Sequence, residues 1–237
     1  MQNKKYENSI KMRQITRITP QGRFCAEDCI LLEERYTMEI NGVNCGEFFC
    51  LPDNLLQLAC GHGLAKGLIG MQDEVAEFMV DEDARGLCLR TSPAAEEKSR
   101  KEINAVFSPD DVHRLNQAFN RKCYLFHKTG AAHSVALADR DGILIFMEDV
   151  ARHNALDKVI GEMFLQGLTP EGKMLIFSGR LAQDMIGKIL SCGVKVLVAP
   201  GAPTLAAVHL AEMNKITMMG FVRKDHINIY TSPERIL

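Results

Sequence analysis

No two cysteines in this chain are separated by two residues. Its eight cysteines stand at positions 25, 29, 45, 50, 60, 88, 123 and 192, and the closest spacings are Cys25-x3-Cys29 and Cys45-x4-Cys50. A four-cysteine zinc site built from C-x2-C pairs is therefore not expected, nor is any other metal site. No apolar run is long enough to span a bilayer. The first ten residues, MQNKKYENSI, lack an apolar core and predict no secretory signal. Together these absences predict a cytoplasmic protein with reduced thiols, most of them acting as small buried hydrophobes. The net charge of −2 gives no sign of general nucleic-acid binding or of a membrane surface. Neither GxGxxG nor GxxxxGK[ST] occurs, so the usual dinucleotide and P-loop modes have no support.

What is present is an ordinary globular composition, 46% hydrophobic and 24% charged over 237 residues, enough for one large domain or two small ones. Residues 10–18 and 31–40 read as strands. Asn41-Gly42 is a two-residue hairpin signal, with 43–50 as the return strand. Pro52 and Asp53 open an expected helix to about Ile69. Its glycines at 61, 63 and 67 either admit a close neighbour or break it. Residues 74–80 and 85–91 read as two more strands, and 93–102 as an exposed polar loop or marginal helix. Ser108-Pro109-Asp110-Asp111 is a helix start. A boundary near 107 divides a β-rich N-terminal lobe, 1–107, from a C-terminal α/β lobe, 108–237.

The second lobe alternates strands with helices. The runs MLIF, VKVLVA and ITMMGF are nearly continuous apolar strands, the pattern of a mainly parallel mixed sheet covered on both faces. At its centre stands EDVARHNALDKVIG, residues 148–161, with an apolar strand before it and a helical apolar stripe within it. The polar cluster at that join suits an anion, because a helix start offers free N–H groups and positive dipole charge. Asp149 could instead simply cap the helix and pair with Arg152. At about 100° per residue His153 falls roughly 60° from Leu156, while Asn154, Asp157 and Lys158 lie further round and can face a cleft.

Ligands in open α/β sheets bind beyond the carboxyl ends of the strands. There the sequence places Ser178-Gly179-Arg180, Pro200-Gly201-Ala202-Pro203-Thr204, Arg223-Lys224 and the 148–154 segment. Small residues and arginines at such joins point to a nucleotide or another phosphorylated ligand.

These residues resemble those of a known family, the formate dehydrogenase accessory sulfurtransferases (FdhD/NarQ family). Thr129-Gly130-Ala131-Ala132-His133 resembles its TGG-x-H, and EDVARHNALDKVIG is similar to its EDVGRHNA-x-DK-x-IG, with Ala151 in place of a glycine. Ser178-Gly179-Arg180, Ala202-Pro203-Thr204, Gly220-Phe221 and Asn228-Ile229-Tyr230-Thr231 also fit, as does the helix around Gly61 and Gly67. The resemblance implies a C-terminal lobe with a cytidine-deaminase-like α/β/α fold and a cytoplasmic homodimer. It implies sulfur received from a cysteine desulfurase and passed to the bis-molybdopterin guanine dinucleotide cofactor, which is delivered to apo-formate dehydrogenase. The guanine nucleotide end would contact Thr129, His133, Arg152, His153, Asn154, Asp157, Lys158, Ser178, Gly179, Arg180, Ala202, Pro203 and Thr204.

One departure bears on the chemistry. Where the family carries a C-x-x-C loop for the persulfide, this chain reads Pro93-Ala94-Ala95-Glu96-Glu97-Lys98. Cys88, three residues before Thr91, is the nearest replacement for the transferring thiol. The alternative is a cofactor-binding chaperone without sulfur transfer. Zinc deaminase chemistry is not expected, since H-x-E and P-C-x-x-C are both missing.

Overall fold

The computed structural model describes residues 9–93, 106–223 and 226–237. Residues 94–102 of the expected polar loop, and Lys224, lie outside them.

The N-terminal lobe holds two separate sheets. Strands β1 (Ile10–Thr19) and β2 (Gly22–Leu31) form an antiparallel ribbon. Strand β2 has no counterpart among the expected elements, although Thr19-Pro20-Gln21-Gly22 carries turn chemistry, with Pro at the second position and Gly at the fourth. The other sheet has the order β4-β3-β6-β5, from β3 (Glu34–Ile40), β4 (Val43–Cys50), β5 (Glu74–Asp81) and β6 (Gly86–Ser92). The hairpin at Asn41-Gly42 forms as expected, with φ of 51° and 80° at its two residues. Helix α1 (Leu55–Ala65) begins later than Pro52, because Asn54 adopts a left-handed conformation immediately before it.

The second lobe contains α2 (Pro109–Lys122), α3 (Tyr124–Thr129), β7 (His133–Ala138), β8 (Ile143–Asp149), α4 (Arg152–Leu165), β9 (Met174–Phe177), α5 (Gln183–Cys192), β10 (Val196–Val198), α6 (Leu205–Met213), β11 (Thr217–Gly220) and β12 (Asn228–Thr231). Helix α2 starts with a capping box: Asp111 N–H donates to Ser108 Oγ, and Ser108 N–H donates to Asp111 Oδ2. The strands join in the order β12-β11-β10-β9-β7-β8. The sheet is mixed. Its parallel part is β9, β10 and β11, while β7, β8 and β12 run antiparallel to their neighbours. Alternate residues explain the unbroken apolar runs. Leu175, Phe177 and Leu197 enter one core with α4, α5 and α6, while Met174, Ile176, Val196 and Val198 enter another with Phe107, Val112, Leu115 and Phe119.

The larger core joins the lobes. Tyr36, Met38, Ile40, Leu87 and Leu89 of the first sheet meet Leu58 and Ala59 of α1 and Leu156, Val159 and Ile160 of α4 in one cluster. Of the two possibilities for the α1 glycines, close approach holds at Gly61. A Cβ there would run into the backbone carbonyl of Asp157, and one at Gly161 into that of Gln57. The two helices therefore meet backbone to backbone, and α1 remains helical through both Gly61 and Gly63.

Candidate functional site

The site is assembled by strand pairing. Because β7 runs antiparallel to β9, its first residues lie beside the last residues of β9. Ser134 N–H donates to Ser178 Oγ at 2.8 Å, and Ser178 N–H donates to Ser134 O at 3.0 Å. This clamp sets His133 against Gly179, where an added Cβ would stand 3.5 Å from His133 Nδ1. His133 also pairs with Asp149, the last residue of β8. The chain then turns through Val150 and Ala151 into α4 and brings Arg152 and His153 to the same place.

The result is an open cleft of about 630 Å³ lined by His133, Ala151, Arg152, His153, Ser178, Gly179, Arg180, Pro200 and Gly201. Helix α4 starts here at Ala151 without a side-chain cap, and α5 starts at Ala182 without one. An uncapped α4 start in the cleft wall leaves backbone N–H groups available to an anion. Arg180 is exposed and has no ion-pair partner among the described residues. Arg152 and His153 share one carboxylate, Asp184 Oδ2, at 3.3 and 3.0 Å. Burial lowers the pKa of both histidines; Arg152 adds to this at His133, whereas Asp184 opposes it at His153. The cleft therefore presents two guanidinium groups and two imidazoles whose neutral forms burial favours.

Beneath the cleft lies a buried polar network. Lys158 is 0% exposed, with Nζ 2.8 Å from Asp149 Oδ2 and 2.6 Å from Asp53 Oδ1. Asp149 also accepts from Leu51 N–H, Ala151 N–H and Asn154 Nδ2. Asn154 Nδ2 donates as well to Phe49 O at 2.7 Å. The network ties β8 and α4 to the chain following β4, and fixes the turn that carries Arg152 and His153. Glu148, also buried, accepts from the Leu125 and Phe126 N–H groups and from Ser134 Oγ, and burial raises its pKa.

The structure thus corrects several expectations. Asn154, Asp157 and Lys158 do not line the cleft; α1 covers that face of α4. Asp157 is buried against Lys188, with His62 Nδ1 3.6 Å from its carboxylate. Asp149 does not cap α4 or pair with Arg152, whose partner is Asp184. Thr129 ends α3, donating to Leu125 O and accepting from Ala131 N–H, and so shapes the turn into β7 rather than a ligand site. Thr204 caps α6 through Ala207 N–H and lines a neighbouring depression of about 580 Å³, while Ala202 and Pro203 line neither. Asp184 is the site residue that sequence reasoning missed. An acid in the first turn of a helix reads as a dipole partner, and nothing local signals its contact with α4.

Cys88 stands away from the cleft. It follows buried Leu87 and precedes buried Leu89, so it faces the other side of its sheet, in a depression of about 490 Å³ with Thr37, Glu39 and Met79. None of the eight cysteines forms a disulfide. Burial pushes Cys50 and Cys60 up to about 12 and Cys123 up to about 11, far from thiolate chemistry. Among the described residues, no group of three His, Cys, Asp or Glu side chains could hold a metal ion, and no helix is long and apolar enough to cross a membrane.

Comparison with known proteins places this arrangement. Residues 91–237 match the model of the FdhD/NarQ family. The protein named sulfur carrier protein FdhD in Shouchella clausii is 32% identical over 255 aligned positions, covering 94% of this chain and 96% of that one. Its namesake in Bacillus subtilis is 29% identical, covering 89% and 91%. The crystal structure of a candidate formate dehydrogenase accessory protein from Desulfotalea psychrophila has the same fold, with a TM-score of 0.85 at 23% identity over 96% of this chain and 99% of that one. The family model covers more than half of the chain and the Shouchella clausii protein aligns over nearly all of it, so this chain belongs to the FdhD/NarQ family.

Proposed function

We propose that this chain is a formate dehydrogenase accessory protein whose cleft holds the guanine dinucleotide end of the molybdopterin cofactor, as cargo, while sulfur is passed to that cofactor. The observation that carries the reading is the cleft itself, where Arg152, Arg180 and the uncapped start of α4 converge. Paired guanidinium groups and free N–H groups recognise phosphate oxygens. Ser178 and the His133 imidazole supply hydrogen bonds to base or ribose. A cysteine desulfurase would be the sulfur donor, apo-formate dehydrogenase the recipient of the cofactor, and a cytoplasmic homodimer the working form.

The test is a calorimetric titration with guanosine diphosphate. Arg180→Glu, at an exposed position, should weaken binding roughly tenfold or more. Unchanged affinity would remove the phosphate from this cleft.

A second reading, a cofactor-holding chaperone without sulfur transfer, is favoured by one observation: Cys88 does not share the cleft. Incubation with an active cysteine desulfurase and free cysteine, followed by peptide mass spectrometry, separates the two. Added sulfur on a cysteine supports the carrier, and none on any of the eight supports the chaperone.

A further inference from the structure

We infer that Asp184 is an exchangeable counter-ion: its carboxylate fills the anion subsite of Arg152 and His153 and leaves when a phosphate group takes its place. The inference rests on the nucleotide reading of the cleft and adds to it the residue that sets the charge a ligand must carry.

The geometry distinguishes this carboxylate from the others nearby. Asp184 Oδ2 lies 3.0 Å from His153 Nε2 and 3.3 Å from Arg152 Nη2, so one oxygen occupies both donors. It reaches those donors from the first turn of α5, whereas they stand in the first turn of α4. The Asp184 side chain is 52% exposed, whereas Asp149, bound to Lys158, is 0% exposed. The buried carboxylate is locked in place, whereas the exposed one, which also accepts from Met185 N–H at 2.9 Å, gives up only a weak solvent-open ion pair when it turns away from Arg152 and His153. A phosphate offers more negative charge and three acceptor oxygens to the same donors, and it can engage Arg180 as well. A neutral nucleoside offers a guanidinium group only uncharged acceptors, such as guanine O6 and N7, which compete poorly with a carboxylate.

Asp184 also stands at a boundary. It lines the neighbouring depression with Ala182, Gln183, Gly187 and Thr204, while its carboxylate contacts two residues of the main cleft. The side chain is thus a positioning residue: it holds Arg152 and His153 in place until a sufficiently charged ligand arrives.

The experiment compares the full chain with Asp184→Asn and Asp184→Ala, titrated calorimetrically with inorganic pyrophosphate and, separately, with guanosine at matched ionic strength. Removing the competing charge should tighten pyrophosphate binding up to about fivefold and leave guanosine unchanged. A purely structural role could not produce a gain. Equal or weaker pyrophosphate binding in both variants, with wild-type binding intact, overturns the inference while leaving the nucleotide reading in place. Weaker guanosine binding in the variants makes Asp184 a direct contact to base or ribose and also overturns it. Failure of every protein to bind pyrophosphate, guanosine or guanosine diphosphate removes the nucleotide reading and the inference together. As an independent readout, the His153 imidazole, followed by NMR, should titrate at lower pH in Asp184→Asn, because the carboxylate that favours its protonated form is gone.

Discussion

Lys158 Nζ lies 2.8 Å from Asp149 Oδ2, and neither side chain is exposed. This fully desolvated pair sits under the cleft, and its other bonds reach Asp53, Leu51, Ala151 and Asn154. It connects the stability of the lobe junction to the placement of Arg152 and His153.

Replacing Lys158 by Met keeps most of the volume but leaves Asp149 buried without its cation. Loss of one partner of such a pair costs about 3–5 kcal/mol. Urea denaturation should show this loss, and guanosine diphosphate affinity should fall with it, because the Asp149 carboxylate that anchors Ala151 N–H is itself no longer held by its cation. Burial alone would lower the Lys158 pKa, but the Asp149 and Asp53 carboxylates outweigh it and the net shift is upward. Its stabilisation is therefore fully present below 10.5, the ordinary lysine value, and is lost as pH climbs through the raised value.

Gly61→Ala tests the helix contact that buries this network. Alanine ordinarily strengthens a helix by about 1 kcal/mol over glycine. Here the new Cβ meets the Asp157 backbone carbonyl, which no rotamer can relieve. Overpacking of this kind costs up to about 3 kcal/mol, so a net loss of up to about 2 kcal/mol is expected in denaturant melts. A stabilised variant would refute the backbone-to-backbone contact of α1 and α4.

The histidines give opposite pH dependences for folding and for binding. Their pKa values are depressed by burial first, so the folded chain binds fewer protons than the unfolded one. That stabilisation is present above the ordinary value of 6.5 and fades as pH falls through the depressed values. Protonation also adds positive charge to the cleft, so anion binding should strengthen over the same window. Thermal melts and guanosine diphosphate titrations between about pH 8 and 5.5 should show both trends. Both should be smaller in a His133→Gln/His153→Gln double variant, in which the ligand's own protonation is unchanged.

Much of the site was legible because its parts are local. Ser178-Gly179-Arg180 follows an apolar strand, and Arg152 and His153 follow another, so the general rule for α/β sheets brings them together. The Asn41-Gly42 hairpin and the Ser108 cap were legible for the same reason. Helical periodicity could place Asn154, Asp157 and Lys158 away from the main apolar stripe, but it could not show that a second helix covers that face. The cover depends on Gly61 and Gly161 allowing two backbones to touch, a contact about a hundred residues apart in sequence. Asp184 was hidden likewise, since its partners lie 32 and 31 residues away. Strand β2 escaped because most residues on both faces of the ribbon are at least partly exposed, which removes the alternation that marks a half-buried strand.

The most direct measurement is photolabelling of the full chain with a photoreactive guanosine diphosphate analogue, with the labelled peptides mapped by mass spectrometry. Label on the segments containing Arg152 and His153, Ser178 to Arg180, and Pro200 and Gly201, abolished by unlabelled guanosine diphosphate, is the predicted result. Competable label confined to the depression around Cys88, or label that unlabelled nucleotide does not displace, would contradict the assignment of this cleft as the nucleotide site.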